Sequence, residues 1–400
     1  MKKRILFVDD EPRVLEGLED LLVRHRRKWE MVFAPGGAVA LEHMRQKPFD
    51  VIVTDMRMPE MDGATLLRFV TNEHPETIRI VLSGCSETEA AIRTVPVAHQ
   101  FLPKPCEAAV LECVVGRACG LHAIIGDDRM RKVLGGLKQL PALTENYQAL
   151  QRALAGEPSG TVEMARIIKG DIAMSAKVLQ LVNSAFFGLG RPIIGAAEAV
   201  QYLGTRTLQQ LASADEVFAG NCVDPRSGLS PKELRNHARL TAEIAGNILA
   251  GNRKQSEEAW TTGFLHDIGK LVMAVELPEQ LATAMAAAQE TGRPLFQVEQ
   301  ELYGTTHAEI GAYLLSAWGF PTPVVEAVAN HHHPERVQNP ALNTLAAVHI
   351  ADALAHECQP NNERKSQTEL NMDYLTSLNA ANQLSQWREA AQELAESGHE

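Results

Sequence analysis

A doubly wound α/β domain followed by an all-helical domain is the fold class that this 400-residue sequence predicts. Three observations carry that expectation. Short, almost wholly apolar runs alternate with amphipathic stretches through roughly the first hundred residues. Strand signals stop after about Leu121. Beyond that point, residues that start and stop helices recur at helical spacing.

The runs Ile5–Val8, Met31–Ala34, Val51–Thr54, Ile78–Leu82 and Ala98–Leu102 predict five strands. They lack polar alternation, as strands covered by helices on both faces do, so the sheet should be parallel. Helical periodicity marks the stretches among and after them: Pro12–Lys28, Ala38–Arg45, Ala64–Asn72, Glu87–Thr94 and Glu107–Leu121. In the second part, Ser230-Pro231-Lys232-Glu233 and Thr306-His307-Ala308-Glu309 read as capping boxes. The second box opens a helix that stops at Gly319-Phe320-Pro321. Asn339-Pro340 opens another, and Asp171 follows Gly170 where one helix gives way to the next. Gln359–Thr368 is polar and reads as loose, with peripheral helix after it. The expected division is 1–121 for the α/β domain, 122–137 for a linker helix, 138–358 for the helical domain and 359–400 for the polar segment and its helices.

Composition narrows the function classes. A formal charge of −12 provides no broad basic field for nucleic acid. The cluster Arg24-His25-Arg26-Arg27-Lys28 reads as the solvated end of a helix, and no helix-turn-helix is legible, so direct DNA binding is not expected. Six cysteines without a CxxC motif fit a reduced compartment. The basic start Met1-Lys2-Lys3-Arg4 is followed by only the short run Ile5–Val8 and then Asp9-Asp10-Glu11. That predicts neither signal peptide nor membrane span, and a cytoplasmic protein.

In an open α/β sheet, ligands bind at the carboxyl ends of the strands. Here those ends carry Asp9-Asp10, Asp55, Ser83 and Lys104-Pro105. Three converging carboxylates raise one another's pKa unless a cation sits among them, and hard oxygen ligands suit Mg²⁺. A hydroxyl and an ammonium beside them can bind phosphoryl oxygens. The set reads as Mg²⁺-assisted phosphoryl transfer to a carboxylate. With Val8-Asp9-Asp10-Glu11, Asp55-Met56-Arg57-Met58-Pro59, Asp62-Gly63, Leu82-Ser83-Gly84 and Lys104-Pro105 in order, the segment resembles the flavodoxin-like receiver domain of two-component response regulators. The resemblance implies that Asp55 is the phosphoacceptor. It implies Mg²⁺ bound by Asp9, Asp10, Asp55 and the backbone carbonyl of Arg57. Ser83 and Lys104 would contact the phosphoryl group, Phe101 would be the switch residue, and Pro105 would follow a cis peptide. A sensor histidine kinase or phosphotransfer protein would be the donor, and the receiver could form a homodimer.

The second domain holds potential metal ligands at His237, His266-Asp267, His307, His331-His332 and Asp352. Asp352 lies on the apolar stripe of Leu342 and Leu345, where a carboxylate is costly unless paired or metal-bound. Imidazoles and carboxylates from several helices are how bundles build di-metal sites. His333 and His356 read as surface residues. The pattern resembles the HD superfamily, and more closely its HDOD subfamily. The likeness rests on Leu140-Pro141-Ala142-Leu143, Asp171-Ile172-Ala173-Met174-Ser175, Val182-Asn183-Ser184-Ala185-Phe186-Phe187-Gly188, Ala199-Val200-Gln201-Tyr202-Leu203-Gly204, Gly263–Lys270 and Ala317-Trp318-Gly319-Phe320-Pro321. HDOD domains are regarded as signalling modules, so the resemblance implies a response regulator acting through a downstream signalling protein. The related HD-GYP phosphodiesterases carry a Gly-Tyr-Pro motif after the paired histidines, where this chain has His333-Pro334-Glu335-Arg336. Yet His237, His266, Asp267, His307, His331 or His332, and Asp352 match their ligand positions, and Lys270 matches a lysine after the dyad. The alternative is therefore a metal-dependent phosphohydrolase of a cyclic or other nucleotide, with iron, manganese or a similar transition metal.

Overall fold

The computed structural model describes residues 2–84, 94, 96–121, 124–137, 140–155, 161–183, 191–213, 223–338, 340–358 and 370–397. The expected helix Glu87–Thr94, apart from Thr94, lies outside them, as do Ser184–Gly188, Asn339 and Gln359–Thr368.

Five strands form one parallel sheet in the order β2-β1-β3-β4-β5: β1 (Lys3–Val8), β2 (Trp29–Ala34), β3 (Val51–Asp55), β4 (Ile78–Gly84) and β5 (Gln100–Lys104). All pairs are parallel and in register; Val8 pairs with Thr54, and Asp55 with Leu82. The helices α1 (Pro12–Leu22), α2 (Gly37–Gln46), α3 (Gly63–Glu73) and α4 (Ala108–Gly120) cover its faces. Two expectations shift. β5 starts two residues later than the sequence indicated. Arg24–Lys28 is not on α1: Val23–His25 is a 3₁₀ turn, and the chain then bends into β2.

The second part is helical among the described residues. It comprises α5 (Asp128–Gly136), α6 (Thr144–Ala155), α7 (Thr161–Lys169), α8 (Ile172–Asn183), α9 (Ala196–Ser213), α10 (Pro231–Ile248), α11 (Arg253–Leu265), α12 (Ile268–Glu276), α13 (Pro278–Thr291), α14 (Leu295–Tyr303), α15 (His307–Ala317), α16 (Thr322–Asn330), α17 (Thr344–Glu357), α18 (Met372–Ser377) and α19 (Leu384–Ser397). Two of the expected caps form, whereas α17 starts only at Thr344 with Asn343 as its cap, four residues beyond the expected Asn339-Pro340. Ser230 accepts from Glu233 N, and the Thr306–Glu309 box is reciprocal. Asp171 accepts from Met174 N and from Leu143 N, tying two segments to one cap. Gly269 brings α12 against α15: a Cβ there would stand 1.9 Å from the His307 carbonyl oxygen, so any other residue forces the pair apart.

One buried apolar cluster runs from the sheet through α5 into the helical domain, from Ile5 to Val328. Polar groups lock the same junction. The fully buried Arg79 donates to the carbonyls of Val97, Pro75, Thr77 and, on α5, Gly135. Gln180 on α8 donates to the carbonyls of Ala98 and His99, and Gln100 on β5 donates to the Ala317 carbonyl.

Lys177 is buried at this junction, donating to Gln180 Oε1 and lying 4.4 Å from the Trp318 ring centroid. Burial pushes its ammonium down to about 7 from 10.5. Between those two values the unfolded chain holds a proton that the folded chain has released, so stability rises with pH across that window and the burial cost is greatest below it. Lys177→Met is therefore expected to raise stability at pH 6 by roughly 1–4 kcal/mol and to flatten the rise towards pH 9. Urea midpoints at the two pH values measure both effects; a variant less stable than the parent at pH 6 contradicts the assignment.

Candidate functional site

At the carboxyl edge of the sheet, β1 delivers Asp9, β3 delivers Asp55 and β5 delivers Lys104. Lys104 Nζ lies 2.6 Å from Asp9 Oδ2 and 2.5 Å from Asp55 Oδ1, so one ammonium bridges two carboxylates. Asp9 Oδ1 accepts from Glu11 N at 2.9 Å, and Asp55 Oδ2 accepts from Arg57 N at 3.1 Å. Burial pushes the Asp55 carboxyl above its ordinary pKa; Lys104 opposes that, and Asp9 adds to it. Burial also works against the Lys104 charge, but the two carboxylates outweigh it and raise its pKa. Asp10 is exposed beside them, Ser83 is buried at the end of β4, and Phe101 is buried within β5. The Lys104–Pro105 peptide is cis. Gly63 lets α3 start against Asp55, since a Cβ there would lie 2.3 Å from the Asp55 carbonyl oxygen. Hard oxygens around a site bridged by the Lys104 ammonium fit Mg²⁺.

In the helical domain, His237 of α10, His266 and Asp267 between α11 and α12, His307 of α15, His331 and His332 after α16, and Asp352 of α17 converge. His237 Nε2 is 2.9 Å from Asp352 Oδ1, and His307 Nε2 is 3.2 Å from Asp267 Oδ1. His266 Nε2 lies 3.4 Å from Asp267 Oδ2 and 3.5 Å from Asp352 Oδ1. His332 Nε2 is 2.9 Å from His307 Nε2. Lys270 Nζ donates to Asp267 Oδ2 at 2.6 Å.

The tautomers are set from outside the cluster. His266 Nδ1 faces the Gly263 carbonyl at 2.6 Å, and His331 Nδ1 faces the Val328 carbonyl at 2.8 Å. A carbonyl only accepts, so both Nδ1 atoms carry the proton and both Nε2 atoms turn inward. His307 Nδ1 is fixed the same way by the buried Glu299 carboxylate at 2.7 Å. The inward Nε2 atoms of His266 and His331 have no hydrogen-bond partner, nor do Asp267 Oδ1 and Asp352 Oδ2. Buried polar atoms of this kind call for an explanation, and an ion is one. The sets His307–His331–His332, His237–His266–Asp352 and His266–Asp267–His331 each bring their ligand atoms within 4.8 Å of one another. The donor set fits a transition metal, and the outer acceptors match the arrangement that orients metal-bound imidazoles.

Electrostatics show what holds the cluster when protons alone fill it. Burial opposes a charge on His266, but Asp267 and Asp352 raise its pKa to about 10. Burial, reinforced by His266, pushes His331 down to about 3. Burial opposes the Asp267 charge too, yet His266 and Lys270 hold the carboxyl well below its ordinary range.

A family model described as the response regulator receiver domain matches residues 5–115, and one described as the HDOD domain matches residues 140–334. The chain joins a response regulator receiver domain to an HDOD domain. Among curated proteins it is 28% identical to an uncharacterized protein of Treponema pallidum (strain Nichols) over 215 residues, 52% of this chain and 41% of that protein. It is also 28% identical to the response regulator protein PilR of Pseudomonas aeruginosa over 254 residues, 58% of this chain and 56% of PilR. The chain thus spans about half the length of these relatives. The crystal structure of a virulence factor from Campylobacter jejuni shares the fold at a TM-score of 0.50, with 24% identity over 58% of this chain and 84% of that one.

One expectation for the receiver–HDOD chain is overturned. His356 is not a surface residue: its side chain is 20% exposed, and its Nε2 lies 3.4 Å from Asp352 Oδ1. The signal is its position one helical turn after Asp352. Glu299 carries no such signal; only the packing of α14 against α15 brings it to His307. His333 is half-buried and faces Glu335 at 3.0 Å, away from the cluster centre. Among the described residues, no helix is long and apolar enough to cross a membrane.

Proposed function

We propose that this chain relays a two-component phosphorylation signal from Asp55 to its HDOD domain, which acts by binding other proteins. In this reading the receiver is 1–121, the linker 122–137, the HDOD domain 138–358 and the remainder peripheral. The donor is a sensor histidine kinase or phosphotransfer protein in the cytoplasm. An Asp55 oxygen attacks the donor phosphorus; the new P–O bond forms as the donor's P–N bond breaks and its imidazole leaves. Mg²⁺ held by Asp9, Asp10, Asp55 and the Arg57 carbonyl supplies charge neutralisation when bound. Lys104 neutralises the phosphoryl oxygens, and Ser83 stands at the end of β4 to bond one of them.

The observation that carries the reading is β5 itself. Its last residue, Lys104, touches Asp55, and its first, Gln100, donates to Ala317 of the HDOD domain at 2.9 Å. Phe101 lies between them. A shift of Lys104 towards a phosphoryl group pulls on the strand that the output domain grips. Hydrogen exchange with and without acetyl phosphate and Mg²⁺ tests it. Exchange should rise in β5 and α8 of the parent protein and stay constant in Asp55→Asn. Equal protection in both states of the parent removes the coupling.

The partnerless inward nitrogens of His266 and His331 support a second reading, a metal-dependent phosphohydrolase of a cyclic or other nucleotide under receiver control. Metal analysis of the purified protein followed by a nucleotide turnover screen separates it from the first.

A further inference from the structure

A cavity of about 380 Å³ lies between the start of α14, the start of α15 and the segment after α16. Pockets for small molecules run from about 300 to 1,000 Å³, so it is large enough for one. Of the clustered histidines and aspartates only His332 is in its wall; His237, Asp267 and Lys270 line a different cleft. Phe296, itself buried, stacks on His332 with ring centroids 4.3 Å apart and meets His333 edge-on at 5.2 Å. These three rings make a packed wall. The charge in the lining is of one sign. Arg293 and Arg336 are there and no carboxylate is, although the chain as a whole carries −12. The exposed Arg336 guanidinium has neither an ion pair nor a side-chain hydrogen bond among the described residues. Arg293 Nη1 lies 2.6 Å from Glu301 Oε2, but those side chains are 45% and 64% exposed, so solvent screens the pair and an incoming anion gives up little by competing with it. Guanidinium groups bind phosphoryl oxygens through paired, charge-assisted hydrogen bonds. Gln297 and Gln300, three apart on α14, share a helix face and bring two amides to the same lining. The Thr306 hydroxyl accepts from Glu309 N and keeps its own proton to donate. Neutral groups of this kind suit hydroxyls rather than further charge.

We propose that this cavity binds a small phosphate ester, a phosphoryl group on a hydroxylated carbon skeleton. Arg293 and Arg336 take the phosphoryl oxygens, and Gln297, Gln300 and Thr306 take the hydroxyls. The site needs neither phosphorylation of Asp55 nor a metal among the histidines, so it stands apart from both readings above. A sugar phosphate and a nucleotide share this chemistry. Either would rest one ring away from His307, since His332 Nε2 lies 2.9 Å from His307 Nε2.

Calorimetric titration of the full chain, stripped of metal with EDTA, uses glucose 6-phosphate, adenosine monophosphate and inorganic phosphate in turn. At least one ester should bind, about tenfold or more tighter than inorganic phosphate, and which one binds tells a sugar phosphate from a nucleotide. Arg336→Gln and Arg293→Gln should each weaken that ester at least about tenfold. Both arginines are exposed, so unchanged melting midpoints certify the folds of the variants. No binding of either ester at about 10 mM overturns the site. Ester binding that neither variant weakens places the ester elsewhere and overturns it as well. Inorganic phosphate bound as tightly as the esters overturns the part given to Gln297, Gln300 and Thr306, and with it the ester.

Discussion

Asp55→Ala should take no label from a small phosphodonor with Mg²⁺, where the parent forms an acid-labile acyl phosphate. The three strand-end carboxylates are not equivalent. Asp9 has one oxygen committed to Glu11 N and the other to Lys104. Asp10 is exposed, out beside the site. Asp55 sits between Lys104 and the Arg57 amide, so the charge that develops on a phosphoryl group there meets an ammonium already in place. Asp9 cannot take over as nucleophile without losing its own partners. The expected loss is complete, at least about a hundredfold in initial rate, a size suited to the removal of a nucleophile rather than of an orienting group. Undiminished acid-labile labelling of Asp55→Ala would place the acceptor elsewhere.

Asp267→Ala should be the most damaging single change in the helical domain, for two separable reasons. Asp267 is the carboxylate that Lys270, His266 and His307 share, at 2.6, 3.4 and 3.2 Å. Truncation leaves the Lys270 ammonium, whose side chain is 16% exposed, without its partner in a low-dielectric site. Breaking a buried pair from one side costs roughly 3–5 kcal/mol. Adding Lys270→Met removes the stranded charge and should recover a good part of that loss. If the parent holds a metal, its retention responds differently: the double variant should stay as empty as the single one. Elemental analysis and urea unfolding of the two proteins read these effects apart. A single variant that keeps both metal and stability contradicts the placing of Asp267 at the centre.

The receiver half was legible because its chemistry and its fold share one signal. Apolar strands end where the carboxylates, the serine and the lysine stand, so finding the strand ends marked the place where Asp9, Asp55 and Lys104 converge. The miss at β5 has a local cause. His99 and Gln100 are polar and Pro103 lacks a donor, so the apolar centre of gravity sits two residues early; Ala98 and His99 instead offer carbonyls to Gln180. In the helical half, the starts at Ser230 and Thr306 were readable from their caps, the start of α17 at Asn343 was not, and faces were not. Every residue of α17 from Thr344 to Ala355 is buried, so no polar stripe distinguishes a structural histidine from a ligand. His349, which donates to the His331 carbonyl and accepts from Asn371 N, and His356, which faces Asp352, look alike in the sequence. Glu299 depends wholly on which helix α14 meets.

The apolar cluster that crosses from the sheet into the helices bears on how such a protein can change over generations. A receiver tethered by a loose string can be swapped for a cousin with little harm. Here the seam is solid, with Gly135 of α5 seated so close to Pro75 that a Cβ would stand 1.8 Å from its carbonyl oxygen. Arg79 fastens the same spot from inside the sheet. A grafted receiver would need not only an intact phosphorylation pocket but a matching imprint on its far side. Inheritance should therefore treat the two halves as a matched lock, in which a substitution on one wall of the seam makes its answer on the other wall advantageous.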